Sequence, residues 1–284
     1  MKFSKIHGLG NDYIYINDIN GKIKNPNKLS KILSDRHLGI GADGIILLLK
    51  SSIADYKMRI FNADGSEAEM CGNGIRGLAK YIYENNLSKK TTLSIETICG
   101  IKIVTLNIKD DQIIDLTVDM GKYSLLKEDI PVIWDKANIC INQPIVIDNR
   151  TFYFTALSIG NPHCVIFVYN LDEIDIQKMG YLIENNPIFP NKTNVEFIQI
   201  IDKNNIIMKV WERGSGETLS CGTGATASVI AGFLTGRLNN DCTVHMKYGT
   251  LKIHIDTKEN KVYLTGPSEK VFDGTVNVKK LIKK

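Results

Sequence analysis

Most of the chain is written in short runs of apolar or alternating side chains closed by Asn, Asp and Gly, the pattern of strands and tight turns. Such runs are MRIFNADG from Met58, TTLSIETICGIKIVTLNI from Thr91, QIIDLTVDM from Gln112 and RTFYFTALSIG from Arg150. CVIFVYN from Cys164, VEFIQIID from Val195, MKVWERGSG from Met208, TVHMKYGTLKIHID from Thr243 and KVYLTG from Lys261 follow the same rule. Two stretches change period. CGNGIRGLAKYIYENN, from Cys71, sets Ile75, Leu78, Ala79 and Ile82 at helical spacing. CGTGATASVIAGFLTG, from Cys221, ends on Gly236, where a helix C-terminus takes glycine. The second predicted helix is rich in Ala, Gly and Ser, so it is expected to be enclosed by other structure on most sides. Strand-rich halves around one central helix each, with a few peripheral helices, predict an α+β protein of two similar domains.

The two halves are related by a constant offset. Met58-Arg59-Ile60-Phe61 falls on Met208-Lys209-Val210-Trp211, a shift of 150 residues. The same shift carries Glu67 to Glu217, Cys71 to Cys221, Gly72 to Gly222 and Gly74 to Gly224. It carries Gly10-Asn11 to Gly160-Asn161 without a gap, and Gly44-Ile45-Ile46 to Asn194-Val195-Glu196. Separated segments sharing one offset point to a duplicated fold. The crossing point is expected near Met120-Gly121, and the tail after Gly266-Pro267 is expected to return to the first copy. The domains are therefore drawn as 1–121 plus 266–284, carrying Cys71, and 122–265, carrying Cys221.

Composition narrows the class. The chain has 284 residues, 43% hydrophobic and 23% charged, which excludes collagen-like and disordered classes and allows two real cores. A net charge of +4 with no dense basic patch gives nucleic-acid binding little support; the basic run Lys279, Lys280, Lys283, Lys284 reads as a solvated terminus. MKFSKIHGLGND lacks an apolar core and a cleavage site, so secretion is not expected. The longest aliphatic run, Ile45 to Leu49, is far short of a membrane helix. Six cysteines, scattered and without CxxC spacing, argue against a disulfide framework and a structural zinc site. A reducing cytoplasm with thiols is the premise.

Cys71 and Cys221 each lie where a Gly-rich loop turns into a helix. First-turn N–H groups lack intrahelical partners and carry partial positive charge, which favours thiolate and can bind a carboxylate. Gly72 and Gly222 leave the backbone open to close approach by a ligand. If the two helix starts face one cavity, one thiolate can take a proton from a carbon beside a carboxylate while the opposite thiol delivers one to the other face. The result is inversion of a stereocentre. Cys99, Cys140, Cys164 and Cys242 lack such a setting and read as core residues.

KIHGLGNDYIYI, RHLGIGADG, FNADGSEAEMCGNGIRG, SIGNPHCVIF, TNVEFI and WERGSGETLSCGTGA occur in this order over nearly the whole chain. In these motifs the chain resembles diaminopimelate epimerase, a cofactor-independent two-cysteine family. The resemblance implies two pseudo-symmetric domains, each an antiparallel sheet wrapped around a central helix, with the active site in the cleft between them. It implies a cytoplasmic homodimer that converts LL- to meso-diaminopimelate for lysine and peptidoglycan precursor synthesis, with no cofactor and no metal. Cys71 and Cys221 match the catalytic pair, Cys221 accepting the α-proton of the LL substrate and Cys71 donating. Gly72, Asn73, Gly222 and Thr223 match positions whose amides hold the carboxylate at the reacting centre. Asn11, Asn62, Asn161, Asn194, Glu212 and Arg213 match residues that grip the substrate, and His163 and Glu212 match positions that tune the thiols. Each also has a structural reading: Asn in turns bonds its own backbone, His163 suits a loop, and Glu212-Arg213 suits a surface ion pair. Asp12 and Tyr13 are read as structural.

Two departures stand out. Gly44 takes the place of a glutamine found after GxGxD in some relatives, so that contact is expected from water or backbone. Phe272 stands where relatives have a tyrosine linked to dimerisation. The nearest rivals are proline racemases, which resemble MCGHG where this chain has Asn73, and, from another class, a non-catalytic amino-acid binder or a redox thiol protein.

Overall fold

The computed structural model describes residues 1–278; Lys279, Lys280, Lys283 and Lys284 lie outside the described residues. Two compact units are present, one built from Met1–Asp119 with the described residues from Thr265 onward, the other from Met120–Leu264.

The first unit runs β1 (Lys2–Gly8), β2 (Asn11–Asn17), α1 (Pro26–Ser34), β3 (Gly44–Leu49), β4 (Tyr56–Asn62), β5 (Glu67–Ala68), α2 (Gly72–Glu84), β6 (Thr92–Thr97), β7 (Gly100–Lys109) and β8 (Gln112–Gly121). The second runs β9 (Gln143–Ile147), β10 (Arg150–Ser158), β11 (Pro162–Val168), α3 (Ile176–Glu184), β12 (Asn194–Asp202), β13 (Asn205–Glu212), β14 (Gly216–Thr218), α4 (Gly222–Leu234), β15 (Asp241–Met246), β16 (Gly249–Asp256) and β17 (Lys261–Gly266), after which β18 (Glu269–Thr275) rejoins the first unit. Helices α2 and α4, and likewise α1 and α3, have bounds that differ by the sequence offset.

Pairing repeats as well. β1–β2 is antiparallel, β2–β3 parallel, β3–β4 antiparallel, β4–β6 parallel and β6–β7 antiparallel. The second unit matches with β10–β11 antiparallel, β11–β12 parallel, β12–β13 antiparallel, β13–β15 parallel and β15–β16 antiparallel. The outer strand is supplied differently: β18, late in the chain, pairs with β1, whereas β9 pairs with the strand that follows it. The α+β expectation is borne out, with mixed rather than purely antiparallel sheets.

Each sheet wraps a helix. α2 packs on β1, β2, β3, β4 and β7, and α4 on β10, β11, β12, β15 and β16. Every residue of α4 from Gly222 to Gly232 is buried, as its small side chains led one to expect. Gly236 follows α4 with a left-handed φ of +68°, while the equivalent position after α2 is Asn86 at +55°. The outer helices differ where they meet the sheet: Ser30 of α1 donates to the Asn62 carbonyl at 2.7 Å, whereas Gly180 of α3 makes room for Trp211, whose Cγ would lie 2.5 Å from an added Cβ.

Separate cores hold the units. Phe3, Ile14, Leu33, Ile45 and Phe61 lie in one, and Phe154, Ile166, Ile183, Val195 and Phe197 in the other. Cys140, Cys164 and Cys242 are buried, but Cys99 is half-buried in the β6–β7 turn, so the expectation that it is a core residue is corrected. No disulfide joins the cysteines and, among the described residues, no cluster of His, Cys, Asp and Glu is arranged to hold a metal. Among them no helix is long and apolar enough to cross a membrane.

Candidate active site

Both predicted cysteines cap helices. Cys71 has an extended backbone (φ −146°, ψ 112°) and its Sγ accepts the Gly74 N–H at 3.2 Å. Cys221 (φ −125°, ψ 112°) does the same with the Gly224 N–H at 3.3 Å. Sulfur therefore takes the place usually filled by a Ser, Thr or Asp oxygen. The donor residue is a glycine in both copies, and a side chain there would crowd its neighbours. A Cβ on Gly74 would sit 2.7 Å from Ile46 Cδ1, and one on Gly224 would sit 2.7 Å from Glu196 Oε1. Gly72 and Gly222, which the sequence singled out, are buried at the first helical position.

In the first unit the turn Leu9-Gly10 has left-handed φ at both residues (+55° and +86°), the geometry of a two-residue hairpin loop, and delivers Asn11 to the start of β2. The Cys71 thiol donates to Asn11 Oδ1 at 3.3 Å, and Asn73 Nδ2 donates to the same oxygen at 3.4 Å. Asn11 is itself held, because its Nδ2 donates to Asp43 Oδ2 at 2.8 Å. Arg36 Nη2 bridges Asp43 and Asp12 at 2.9 and 2.8 Å, and Lys5 lies 2.8 Å from Asp12. Burial of Asp12 works against its charge, but the Arg36 and Lys5 hydrogen bonds win and hold it below its ordinary value. The Tyr13 hydroxyl is pushed well above its ordinary value, by burial first and then by the neighbouring Cys71. Asn62 stands apart from this cluster, opposite Gly44 in the β3–β4 ladder, with Nδ2 on Ser66 Oγ at 3.0 Å.

In the second unit Cys221 is 5% exposed and its sulfur lies 3.4 Å from Thr223 Oγ1. Asn161 Nδ2 donates to Thr223 Oγ1 at 3.3 Å, and Asn161 Oδ1 lies 2.9 Å from His163 Nε2. The other ring nitrogen of His163 is 2.7 Å from Glu196 Oε1, with both side chains fully buried. Glu212 reaches Cys221 from β13 and accepts from the Thr218 hydroxyl. Asn194 stands behind this group, donating to the Pro162 carbonyl and accepting the Arg213 backbone N–H, each at 2.9 Å. Arg213 is exposed. Its loop is anchored by buried Glu184, which accepts the Trp211 indole N–H at 2.7 Å and the Gly214 N–H at 2.9 Å.

The helix start does not make Cys221 acidic. Burial first, then the charges of Glu212 and Glu196, push its thiol well above the ordinary value, and the Thr223 and Gly224 hydrogen bonds only partly offset this. The expectation of a lowered value is corrected here: the amides are present, but the thiol is buried and faces two carboxyl groups. Burial alone pushes the remote thiols up too, Cys140 to about 11 and Cys242 mainly so to about 12, which makes them poor nucleophiles.

Glu196 and Glu184 were not among the predicted site residues, nor were Asp43 and Tyr13. The legible signal for Glu196 was the offset, since it stands in an apolar strand where the other copy has Ile46. Burial raises the Glu212 carboxyl above its ordinary value, against the Thr218 and Cys221 hydrogen bonds. A carboxyl raised on folding stabilises the fold below the ordinary carboxylate range and loses that contribution as pH rises through the raised value. Glu212→Gln is therefore expected to melt higher than the parent at neutral pH, little differently in acid, and to turn over more slowly. Calorimetry at both pH values checks this, and a lower melting temperature at neutral pH counts against it.

A model of the diaminopimelate epimerase family matches residues 3–126 and 155–271. The chain belongs to the diaminopimelate epimerase family. A diaminopimelate epimerase of Methanococcus maripaludis is 47% identical over 278 residues, covering 98% of this chain and 100% of that protein. One from Acetivibrio thermocellus is 46% identical over 281 residues, covering 99% and 100%. Solved structures extend the likeness of fold alone. A hydroxyproline epimerase from Agrobacterium vitis superposes with a TM-score of 0.71 at 16% identity, over 97% of this chain and 90% of that one. A phenazine biosynthesis protein of the PhzF family from Bacillus anthracis gives 0.66 at 18% identity, over 98% and 99%. Within the diaminopimelate epimerase family, then, this chain presents two cysteine-capped helices in chemically unequal surroundings.

Proposed function

We propose that the protein interconverts LL- and meso-diaminopimelate by moving one α-proton between two thiols. The observation that carries the reading is the pair of helices Gly72–Glu84 and Gly222–Leu234, each begun by a cysteine whose sulfur accepts the third helical N–H. In the LL-to-meso direction the Cys221 thiolate takes the α-proton. The electron pair of the broken C–H bond spreads into the carboxylate, whose oxygens are held by the amides at Gly72, Asn73, Gly222 and Thr223. The Cys71 S–H then delivers its proton to the opposite face, leaving a Cys71 thiolate and a Cys221 thiol. Run backwards, the same steps give the reverse reaction. Thiols suit both directions because either partner can be base or acid.

Raising Cys221 by burial and by Glu212 makes it a strong base once ionised, at the cost of a smaller ionised fraction. His163 and Glu212 tune that balance. Asn11, Asn62, Asn161, Asn194 and Arg213 bind the remainder of the substrate, Arg213 through a fork that suits a carboxylate. We place the enzyme in a reducing, cytoplasmic compartment, because an oxidised thiol cannot exchange a proton. The domains that carry the two cysteines are taken as 1–121 plus 266–284 and 122–265.

Incubation with LL-diaminopimelate in deuterium oxide tests the reading. Meso product with deuterium at the inverted α-carbon is expected; neither appearing under reducing conditions sinks it. We also propose a homodimer through β18, where Val271 and Phe272 are 54% and 43% exposed and Phe272 packs edge-on against Phe3 at 5.8 Å. Phe272→Glu is expected to lower the sedimentation coefficient to that of a single chain, and an unchanged coefficient excludes this face.

A further inference from the structure

Arg76, one turn into α2, is fully buried at 0% exposure. Its Nη1 donates to the Gly72 carbonyl at 2.9 Å, Nη2 to Asn73 Oδ1 at 2.8 Å and Nε to the Pro267 carbonyl at 3.4 Å. All three acceptors are neutral, and among the described residues no carboxylate forms an ion pair with it. Gly8 keeps the space clear, since a Cβ there would lie 3.1 Å from both Arg76 Nη2 and Asn73 Cβ. A buried cation without a counter-charge is costly, and hydrogen bonds to neutral oxygens repay only part of that cost. Burial pulls Arg76 down to about 10, and the charge that most opposes this is Cys71.

The repeat supplies an internal control. The offset places Thr226 of α4 where α2 has Arg76, and its hydroxyl donates to the Gly222 carbonyl at 2.9 Å. Tying down the first carbonyl of the helix therefore needs only a neutral hydroxyl. The charge is extra, and it occurs in the copy that holds Cys71. Tyr13 and Tyr15 on β2 are both pushed well above their ordinary value by burial and are neutral, while Asp43 and Asp12 are bound to Arg36, with Lys5 also on Asp12. Around Cys221 the facing groups are Glu212 on β13, Glu196 on β12 and His163 on β11.

We propose that Arg76 is a positioning residue for the epimerase reaction: its buried guanidinium is the counter-charge of the Cys71 thiolate and holds Asn73 against Asn11. This deepens the functional reading above and rests on it for its place in turnover. It sets the thiols in unlike surroundings, a buried guanidinium acting on Cys71 and the carboxyl groups of Glu212 and Glu196 acting on Cys221, so the thiolate left on Cys71 after LL-to-meso turnover is the stabilised one.

The test is the pH dependence of iodoacetamide alkylation, followed at each cysteine by peptide mass spectrometry on the full-length protein without substrate. In the parent, the Cys71 midpoint is expected at least about one pH unit below that of Cys221, equivalent to a roughly tenfold larger thiolate fraction below both midpoints. Arg76→Gln is expected to raise the Cys71 midpoint by about one unit and leave Cys221 in place, and Arg76→Lys is expected to restore it. Equal midpoints in the parent overturn the proposal whether or not the variants fold. So does a folded Arg76→Gln protein with an unmoved Cys71 midpoint, or one in which both cysteines shift together. These midpoints need no turnover, so they stand or fall separately from deuterium incorporation into diaminopimelate.

Discussion

Cys71→Ala and Cys221→Ala are each expected to lose epimerisation in both directions, by about 10²–10⁴-fold or more, the usual contribution of a positioned acid or base. The losses should be of similar size, because every turnover uses one sulfur to take the proton and the other to give it. For the same reason the double variant should be little worse than either single one, as is usual for groups that act as a unit. The sulfurs also cap α2 and α4, so alanine removes an acceptor from Gly74 and Gly224. Serine separates the two roles. Its oxygen caps a helix well but does not ionise near neutral pH, so Cys71→Ser and Cys221→Ser should melt like the parent and remain inactive. Turnover and thermal melts on the four single variants decide the matter. Substantial activity in any one of them removes that sulfur from the mechanism.

Gly44→Ala is expected to be the most damaging small substitution near the first half-site. A Cβ on Gly44 would lie 2.2 Å from the Phe61 carbonyl oxygen and 3.1 Å from Asn62 Cα. Both are backbone atoms of β4, and Gly44 is also locked by its pairing with Tyr13 of β2, so neither side can give way cheaply. Overpacking of this kind costs about 1–3 kcal/mol and occasionally more. For a unit of this size each kcal/mol lowers Tm by roughly 2–4 °C. A thermal melt of Gly44→Ala within experimental error of the parent would show that β3 and β4 can separate freely. The same crowding explains the absent side chain at this position. Its counterpart Asn194 is 4% exposed yet keeps a side chain with two hydrogen bonds, so the copies share a backbone plan and differ in local spacing.

The duplicated plan was open to reading in the chain because it rests on local rules. Glycine at Gly10 and Gly160, both with left-handed φ, makes the turns that precede Asn11 and Asn161. Strand periodicity around Met58 and Met208, and helical spacing after Cys71 and Cys221, are properties of a few neighbouring residues. The short strands β5 and β14 were not visible, since two or three residues carry no period. Nor was the parallel pairing of β2 with β3 and of β11 with β12, which depends on how crossover helices α1 and α3 return the chain to the sheet.

By itself the sequence determined that two like units exist, that each begins a helix on a cysteine, and which family motifs surround those cysteines. Tertiary structure decided what the two thiols experience. Glu196 and Glu212 reach Cys221 because β12 and β13 lie side by side, and burial there outweighs the helix amides. Arg76 lies within the same helix turn as Asn73, yet only the closing of the sheet around α2 buries it against three neutral acceptors. Local pattern depends on neighbours in the chain, whereas a proton's affinity for sulfur depends on every charge and every water in the surrounding volume, and those are set only once the strands have met.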